Sequence, residues 1–408
     1  MSLTRRRGGA VAALTLVVAL LGGCSSTPAG GAAAASGRDG AAPGSSAATP
    51  TTPALPAAAI DVTPADGTSQ VLPDSPISVQ ASGGTLDEVS VTDDQGKPLA
   101  GTLSDDHASW TSSAPLALKA KYTVQASATN AEGAPTTISS SLDTVKPKDS
   151  ADYFLLPSGS GQVGVGMPVV IQFLGLVDED KQDDIEKRVS VTTSPSVDGS
   201  WGWLDARQLI WRPATYWAPG TKVSVKADLA GIETRPGIWT MRNASNTFSI
   251  GSSMMSTVDV KAHTLTVRKD GAVLRTIPIT TGKKGFETRN GVKVIISRET
   301  SRQMDAETTG LAKSDPEYYN IKVKYAMRLT WSGEFVHAAP WSVGSQGRTN
   351  VSHGCTGMST ANAKWLFDRS KMGDVVKYTG SSRGLESYNG YTMWNMSLAQ
   401  WATHSALV

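Results

Sequence analysis

The 408-residue chain reads as a mainly β protein of several domains, with two β-sandwiches followed by a β-rich unit that has few helices. Three observations predict this. Short runs of alternating apolar and polar residues recur, as in Val89-Ser90-Val91-Thr92, Val189-Ser190-Val191-Thr192 and Val223-Ser224-Val225, and alternation turns one face of a strand into a core. The 40 Gly and 21 Pro divide those runs with turns. Tryptophan is abundant, 11 against 6 Phe and 9 Tyr, while helical spacing is convincing in one stretch only.

The N-terminus stands apart. Arg5-Arg6-Arg7 precedes an apolar run from Ala10 to Leu21, too short for a permanent membrane span, and Leu21-Gly22-Gly23-Cys24 looks like a bacterial lipobox. Residues 1–23 are therefore expected to be a lipoprotein signal peptide, with lipidation at Cys24 anchoring the chain to a membrane. Residues 24–59 are almost entirely Ala, Gly, Ser, Thr and Pro, too polar and small to fold, and read as a disordered tether. The signal also holds the excess basicity. The whole chain has 38 Lys and Arg against 36 Asp and Glu; without the three arginines the balance is 35 to 36, a net −1 that gives no reason to expect nucleic-acid binding.

Residues 60–147 suggest a first immunoglobulin-like sandwich, with strands at Pro76–Ala81, Val89–Thr92 and Tyr122–Ala128 and a turn at Asp94–Pro98. Residues 148–250 suggest a second, with strands near Val169–Phe173, Val189–Thr192, Leu209–Pro213 and Val223–Ala227. Trp201, Trp203, Trp211 and Trp217 are expected to serve core or interdomain packing rather than to form a glycan-stacking face. The third unit, 251–379, starts with the hairpin Thr264–Val267, Lys269-Asp270-Gly271, Ala272–Arg275. Glu299–Tyr319 is polar and turn-rich, as a flap would be. Ser359 is a plausible N-cap for a helix through Asp368, its face marked by Ala361, Trp365 and Leu366. Residues 380–408, with Trp394 and Trp401, are expected to pack back on this third unit.

Chemistry concentrates at Asn350–Gly357. With Cys24 assigned to lipidation, Cys355 has no disulfide partner, and two of the five histidines, His337 and His353, lie within 18 residues before it. A thiol needs a neighbouring imidazole or backbone amides to act as a nucleophile near neutral pH. Ser352-His353-Gly354-Cys355 offers both, because Gly354 lets the chain turn tightly and aim amides at an oxyanion. The residues point to acyl transfer: Cys355 attacks a carbonyl, His337 holds the proton, and amides around Gly354 and Cys355 stabilise the oxyanion. No zinc site is expected from one Cys and two His, and the chemistry calls for no cofactor.

His337, within Phe335-Val336-His337-Ala338-Ala339-Pro340-Trp341-Ser342, followed by Ser352-His353-Gly354-Cys355, resembles the signature of the YkuD-type L,D-transpeptidases. Asn290-Gly291-Val292 is similar to a family passage, and Trp211-Arg212-Pro213 with Tyr216-Trp217-Ala218-Pro219-Gly220-Thr221 resembles the immunoglobulin-like domain of the mycobacterial and actinobacterial lipoprotein type. The resemblance implies a peptidoglycan enzyme. Its cysteine takes a tetrapeptide stem as a thioester, releasing D-Ala, and passes it to the diaminopimelate amine of another stem as a 3→3 crosslink. Carbapenem β-lactams are implied as inhibitors, and the place of action as the outer face of the cell membrane, reaching into the wall. Hydrolysis instead of transfer, an L,D-carboxypeptidase, and a non-catalytic wall-binding scaffold are the alternatives. By the same resemblance the carbonyl of Ala338 orients His337, His353 assists oxyanion or substrate, and Tyr319, Met304, Ser352 and Ala338 contact substrate. The chain departs from the family at Thr356, where an apolar residue is usual, and at Gly357, where Asn is frequent.

Overall fold

In the computed structural model, residues 55–408 are described; Cys24, the stretch read as signal and the tether up to residue 54 lie outside them. The last residues assigned to the tether are part of the first sandwich, Ala58 buried in its core and Ala59 opening a strand. The alternation of Lys121–Asn130 buries Tyr122, Val124, Ala126 and Ala128 on one face of a strand that pairs with Gly84–Asp93 and Pro135–Thr144. That sheet, completed by Thr68–Val71, faces a second one ordered Ala59–Thr63, Ser78–Ser82, Ser109–Ser112, Gly101–Leu103. Trp110 is buried in the core of this sandwich. A side chain at Gly101 would place its Cβ 1.9 Å from the indole, so the sheet admits only glycine there.

A second pair of four-stranded sheets follows, one of them centred on the largely buried strand Val169–Phe173 and the fully buried strand Gln208–Pro213. Trp203, Trp211 and Trp217 are buried in it, as expected of core residues. Trp217 also donates its indole N–H to the Met167 carbonyl at 2.7 Å.

The C-terminal unit has a five-stranded sheet in which Val375–Thr379 lies between Met254–Asp259 and Gly291–Val294. A four-stranded sheet orders Ser297–Asp305, Asn320–Arg328, Phe335–Ala338 and Thr356–Met358. Its last two strands are parallel and set His337 opposite Gly357. Helix Thr360–Arg369 links this edge to Val375–Thr379, and the Ser359 hydroxyl caps it by accepting the Asn362 N–H.

Three expectations need correction. The flap is more ordered than its polarity suggested: Ser297–Asp305 pairs with Asn320–Arg328 as a hairpin, and the irregular part is its tip. Cross-strand polar pairs, which a search for apolar alternation overlooks, hold it. The helix buries Ala363, Leu366 and Phe367 rather than Ala361, while Trp365 is sandwiched between the guanidiniums of Arg275 and Arg369. The tail also does not simply fold back on its own unit. Its start is tied there by Arg289–Glu386 at 2.6 Å and by the Val292 N–H donating to Asn395 at 2.7 Å. Its end lies on the second sandwich, where Trp401 is fully buried and donates to the Ser200 carbonyl at 3.2 Å. Gly202 makes that seat, since a Cβ there would meet the indole at 2.8 Å. The core of the second sandwich consequently extends into the C-terminal unit, Val294, Ile296, Val375, Met393 and Trp401 joining its cluster. Val258, Leu265, Met327 and Leu366 belong to a separate core of the C-terminal unit, and the first sandwich keeps its own.

Candidate active site

Cys355 immediately precedes strand Thr356–Met358, and His337 lies on the neighbouring strand Phe335–Ala338. Main-chain pairing therefore sets their separation. The loop carrying the cysteine is bonded to Thr280–Thr288 along its length. Thr280 and Gly357 exchange both backbone hydrogen bonds, the Lys283 N–H donates to the Ser352 carbonyl at 2.9 Å, and the Thr288 hydroxyl donates to the Gly354 carbonyl at 2.7 Å. The Asn350 side chain accepts from the Thr281 N–H and donates to the Val260 carbonyl. Gly354 has φ +122°, a conformation that favours glycine.

His337 is buried, and its Nδ1 donates to the Ala338 carbonyl at 2.8 Å, which leaves Nε2 as the lone-pair nitrogen. Burial pushes its pKa below the ordinary imidazole value, with the Ala338 hydrogen bond working the other way. Trp341 stacks on the ring with centroids 6.0 Å apart. Cys355 is 9% exposed, packed with Met304, Val323, Ala326 and Phe335, and its Sγ sits 3.6 Å from the Gly333 carbonyl. Burial pushes the thiol up to about 12. Free Cys355 and His337 are thus both neutral at pH 7.

Cys355, His337, His353, Ser352, Tyr319 and Met304 line one cavity of about 300 Å³. Ala338 does not line it: its side chain lies in the hydrophobic core, and only its carbonyl, through His337, reaches the site. The turn also changes the expectation for Gly354. Its N–H donates to the Ser352 hydroxyl at 3.1 Å, and that hydroxyl in turn donates to the Cys355 carbonyl at 2.6 Å. The Gly354 amide is engaged within the turn rather than aimed at an oxyanion. Tyr319 keeps its hydroxyl proton, burial having pushed it up to about 12, and adjoins the cavity as a second donor. Gly357 is closely covered: a Cβ there would lie 2.9 Å from Ala339 and 3.1 Å from Thr280, so these two residues fill the space a side chain would need.

Two groups escaped the sequence reading. Glu334 is buried and accepts from the Arg289 backbone N–H at 2.9 Å and its guanidinium at 3.2 Å, while its other oxygen pairs with fully buried Lys293. Lys293 alternates with Val292 and Val294, which reads as a solvent-facing position. Glu317, in the flap, accepts from Lys283 at 2.6 Å and from His353 Nε2 at 2.7 Å. Loop residues that meet only through the fold leave no spacing signal.

A thiol and an imidazole oriented by a backbone carbonyl, positioned by adjoining strands in one cavity, define an acyl-transfer site of the cysteine type. Residues 254–377 match the L,D-transpeptidase catalytic domain family, YkuD, and residues 68–233 match a bacterial Ig domain. L,D-transpeptidase 2 of Mycobacterium tuberculosis is 37% identical over 344 residues, covering 84% of this chain and 83% of that protein. L,D-transpeptidase 5 of the same organism is 32% identical over 86% of this chain and 78% of its own length. A solved L,D-transpeptidase in complex with imipenem is 34% identical over 57% of this chain and all of its own, with a TM-score of 0.49. The chain belongs to the L,D-transpeptidase family.

Proposed function

We propose that the chain is a peptidoglycan L,D-transpeptidase forming 3→3 crosslinks, with Cys355 as nucleophile and His337 as general base. The observation that carries the assignment of roles is the His337 Nδ1 bond to the Ala338 carbonyl, which leaves Nε2 as base in the cavity that holds the lone thiol. As Sγ attacks the carbonyl that precedes D-Ala, Nε2 takes the thiol proton. The tetrahedral oxyanion is stabilised by the Cys355 amide and the Tyr319 hydroxyl. Collapse breaks the C–N bond, and His337 returns the proton to the departing D-Ala amine, leaving a thioester. The side-chain amine of a second stem then attacks, gives a proton to His337, and expels the cysteine sulfur, which regains that proton.

Met304 and Tyr319 bound the donor stem beneath the flap, His353 stands at the mouth, and Ser352 shapes the turn. Carbapenems acylate the same sulfur, because a strained lactam offers the same carbonyl chemistry. The lipobox-like Leu21-Gly22-Gly23-Cys24 supports lipidation at Cys24 and a place on the outer face of the membrane, with reach into the wall.

The test is mass spectrometry of the full chain incubated with disaccharide-tetrapeptide, with Cys355→Ala as control. A crosslinked dimer that has lost one D-Ala, absent from the variant, is expected. Tripeptide alone would reassign the chain as an L,D-carboxypeptidase, and absence of any acyl-enzyme mass would leave it a wall-binding scaffold.

A further inference from the structure

Lys283 and His353 are fixed by the same main-chain pairing that holds the nucleophile. Gly282 bridges Ser352, and the Lys283 N–H donates to the Ser352 carbonyl at 2.9 Å. The His353 ring is wedged between Phe286, edge-on at 4.6 Å, and Tyr319 at 5.0 Å. His353 lines the cavity, the Lys283 backbone is held next to it, and both side chains donate to one oxygen, Oε2 of Glu317.

Glu317 has no comparable anchoring. It comes from the irregular tip of the flap, where its N–H donates to Asp315 within the same loop, and its side chain is 41% exposed. Hydrogen bonds from Lys283 first and His353 second hold its carboxyl below the usual range, so it is an anion. An anion on an irregular loop thus occupies two donors, one of which, His353, lines the cavity that holds the reacting sulfur. A carboxylate on a substrate finds the same two partners once the flap lifts.

We propose that Lys283 and His353 form a carboxylate-binding subsite at the mouth of the Cys355 cavity, filled here by Glu317 and taken over by a carboxylate of the incoming stem peptide. The subsite rests on the peptidoglycan reading of the cavity. Glu317 is then a competitor built into the flap: it shields the donors until a stem displaces it and ties the flap to substrate arrival.

The experiment measures binding of the stem tetrapeptide, with its carboxylates free or converted one at a time to primary amides, by calorimetry on the full chain. A Cys355→Ala background prevents turnover. Adding Lys283→Met is expected to weaken binding of the free acid about tenfold. Amidation of one particular carboxylate should cause a similar loss with Lys283 present and little further loss without it. Adding Glu317→Gln should tighten binding of the free acid severalfold and leave that amide unchanged. If Lys283→Met weakens every peptide equally, or no amidation depends on Lys283, the subsite is refuted. Should Lys283→Met fail to fold, Glu317→Gln decides alone, and equal affinity with and without it refutes the displacement. Acylation of Cys355 by tetrapeptide in the unsubstituted chain is measured separately. Carboxylate-dependent binding without acylation would keep the subsite and reject the transferase.

Discussion

Lys293 and Glu334 form an ion pair from which solvent is almost absent, the lysine side chain having no exposure and the glutamate 5%. Arg289 joins the same carboxylate and reaches onward to Glu386 in the tail. Glu334 directly precedes the strand that carries His337, so this network fixes one wall of the site. Glu334→Gln leaves the Lys293 ammonium buried without its acid, a loss of about 3–5 kcal/mol by analogy with other broken buried pairs. Urea midpoints check this. Burial already depresses the Lys293 pKa, so the folded variant binds fewer protons than the unfolded chain and its deficit should shrink as pH rises towards 10. A deficit that does not vary with pH would show the damage to be packing.

The raised thiol and lowered imidazole predict a neutral resting pair. Alkylation of Cys355 by iodoacetamide should be slow at pH 7 and rise about tenfold per pH unit without levelling below pH 10. A plateau near pH 6 would instead reveal a standing thiolate–imidazolium pair. The same shift bears on stability. A thiol raised above its ordinary value of 9.0 contributes stability that is present below pH 9 and lost as pH rises through about 12.

Asp374 gives the corresponding case for a carboxyl. It is 3% exposed, one oxygen accepts the Lys371 N–H at 2.7 Å, and the other is buried without a hydrogen-bond partner. Burial raises its pKa to about 7, against the Lys371 amide and the charges of Lys371 and Arg298. Its contribution is present at pH 3.8 and lost as pH rises through about 7. Asp374→Asn should therefore be more stable than the parent at pH 8 by about 1–3 kcal/mol, with the gain gone at pH 4. Denaturant titrations at the two pH values check it, and equal effects at both would contradict the shifted carboxyl.

Trp401→Ala removes a fully buried indole from its seat over Gly202, at a cost of about 3–5 kcal/mol. Proteolysis should then cut the tail after Gly380 more readily. Because the tail also carries Glu386, loosening it should slow acylation of Cys355. An unchanged acylation rate would show that the tail's two ends act independently.

The legible parts of the sequence were those set by local chemistry. The Ser-His-Gly-Cys turn, the alternating strands and the Ser359 cap each follow from neighbouring residues, whereas the role of the Ala338 carbonyl comes from the family resemblance, since any residue supplies a carbonyl. Illegible parts depend on meetings between distant segments. Glu317 joins Lys283 across 34 residues, Lys293 joins Glu334 across 41, and Trp401 reaches Ser200 across 201. A polar residue in an alternating strand reads as exposed until its partner is known, which is why Lys293 was passed over. The Gly354 amide was misjudged for a related reason, since its competitor is the Ser352 side chain within the same turn.

The shared seam between the second sandwich and the C-terminal unit sets where this chain comes apart. Gly164 and Gly166 donate their amides to Met372 and Gly373, and a Cβ at Gly164 would lie 2.2 Å from the Asp374 nitrogen, so the two units meet backbone to backbone. In a calorimeter residues 148–408 should melt as one cooperative block and the first sandwich as another. On that melting pattern the first sandwich is the part that can be lost or replaced without opening the interior behind the active site. The second sandwich can change only in step with the enzyme whose interior it completes.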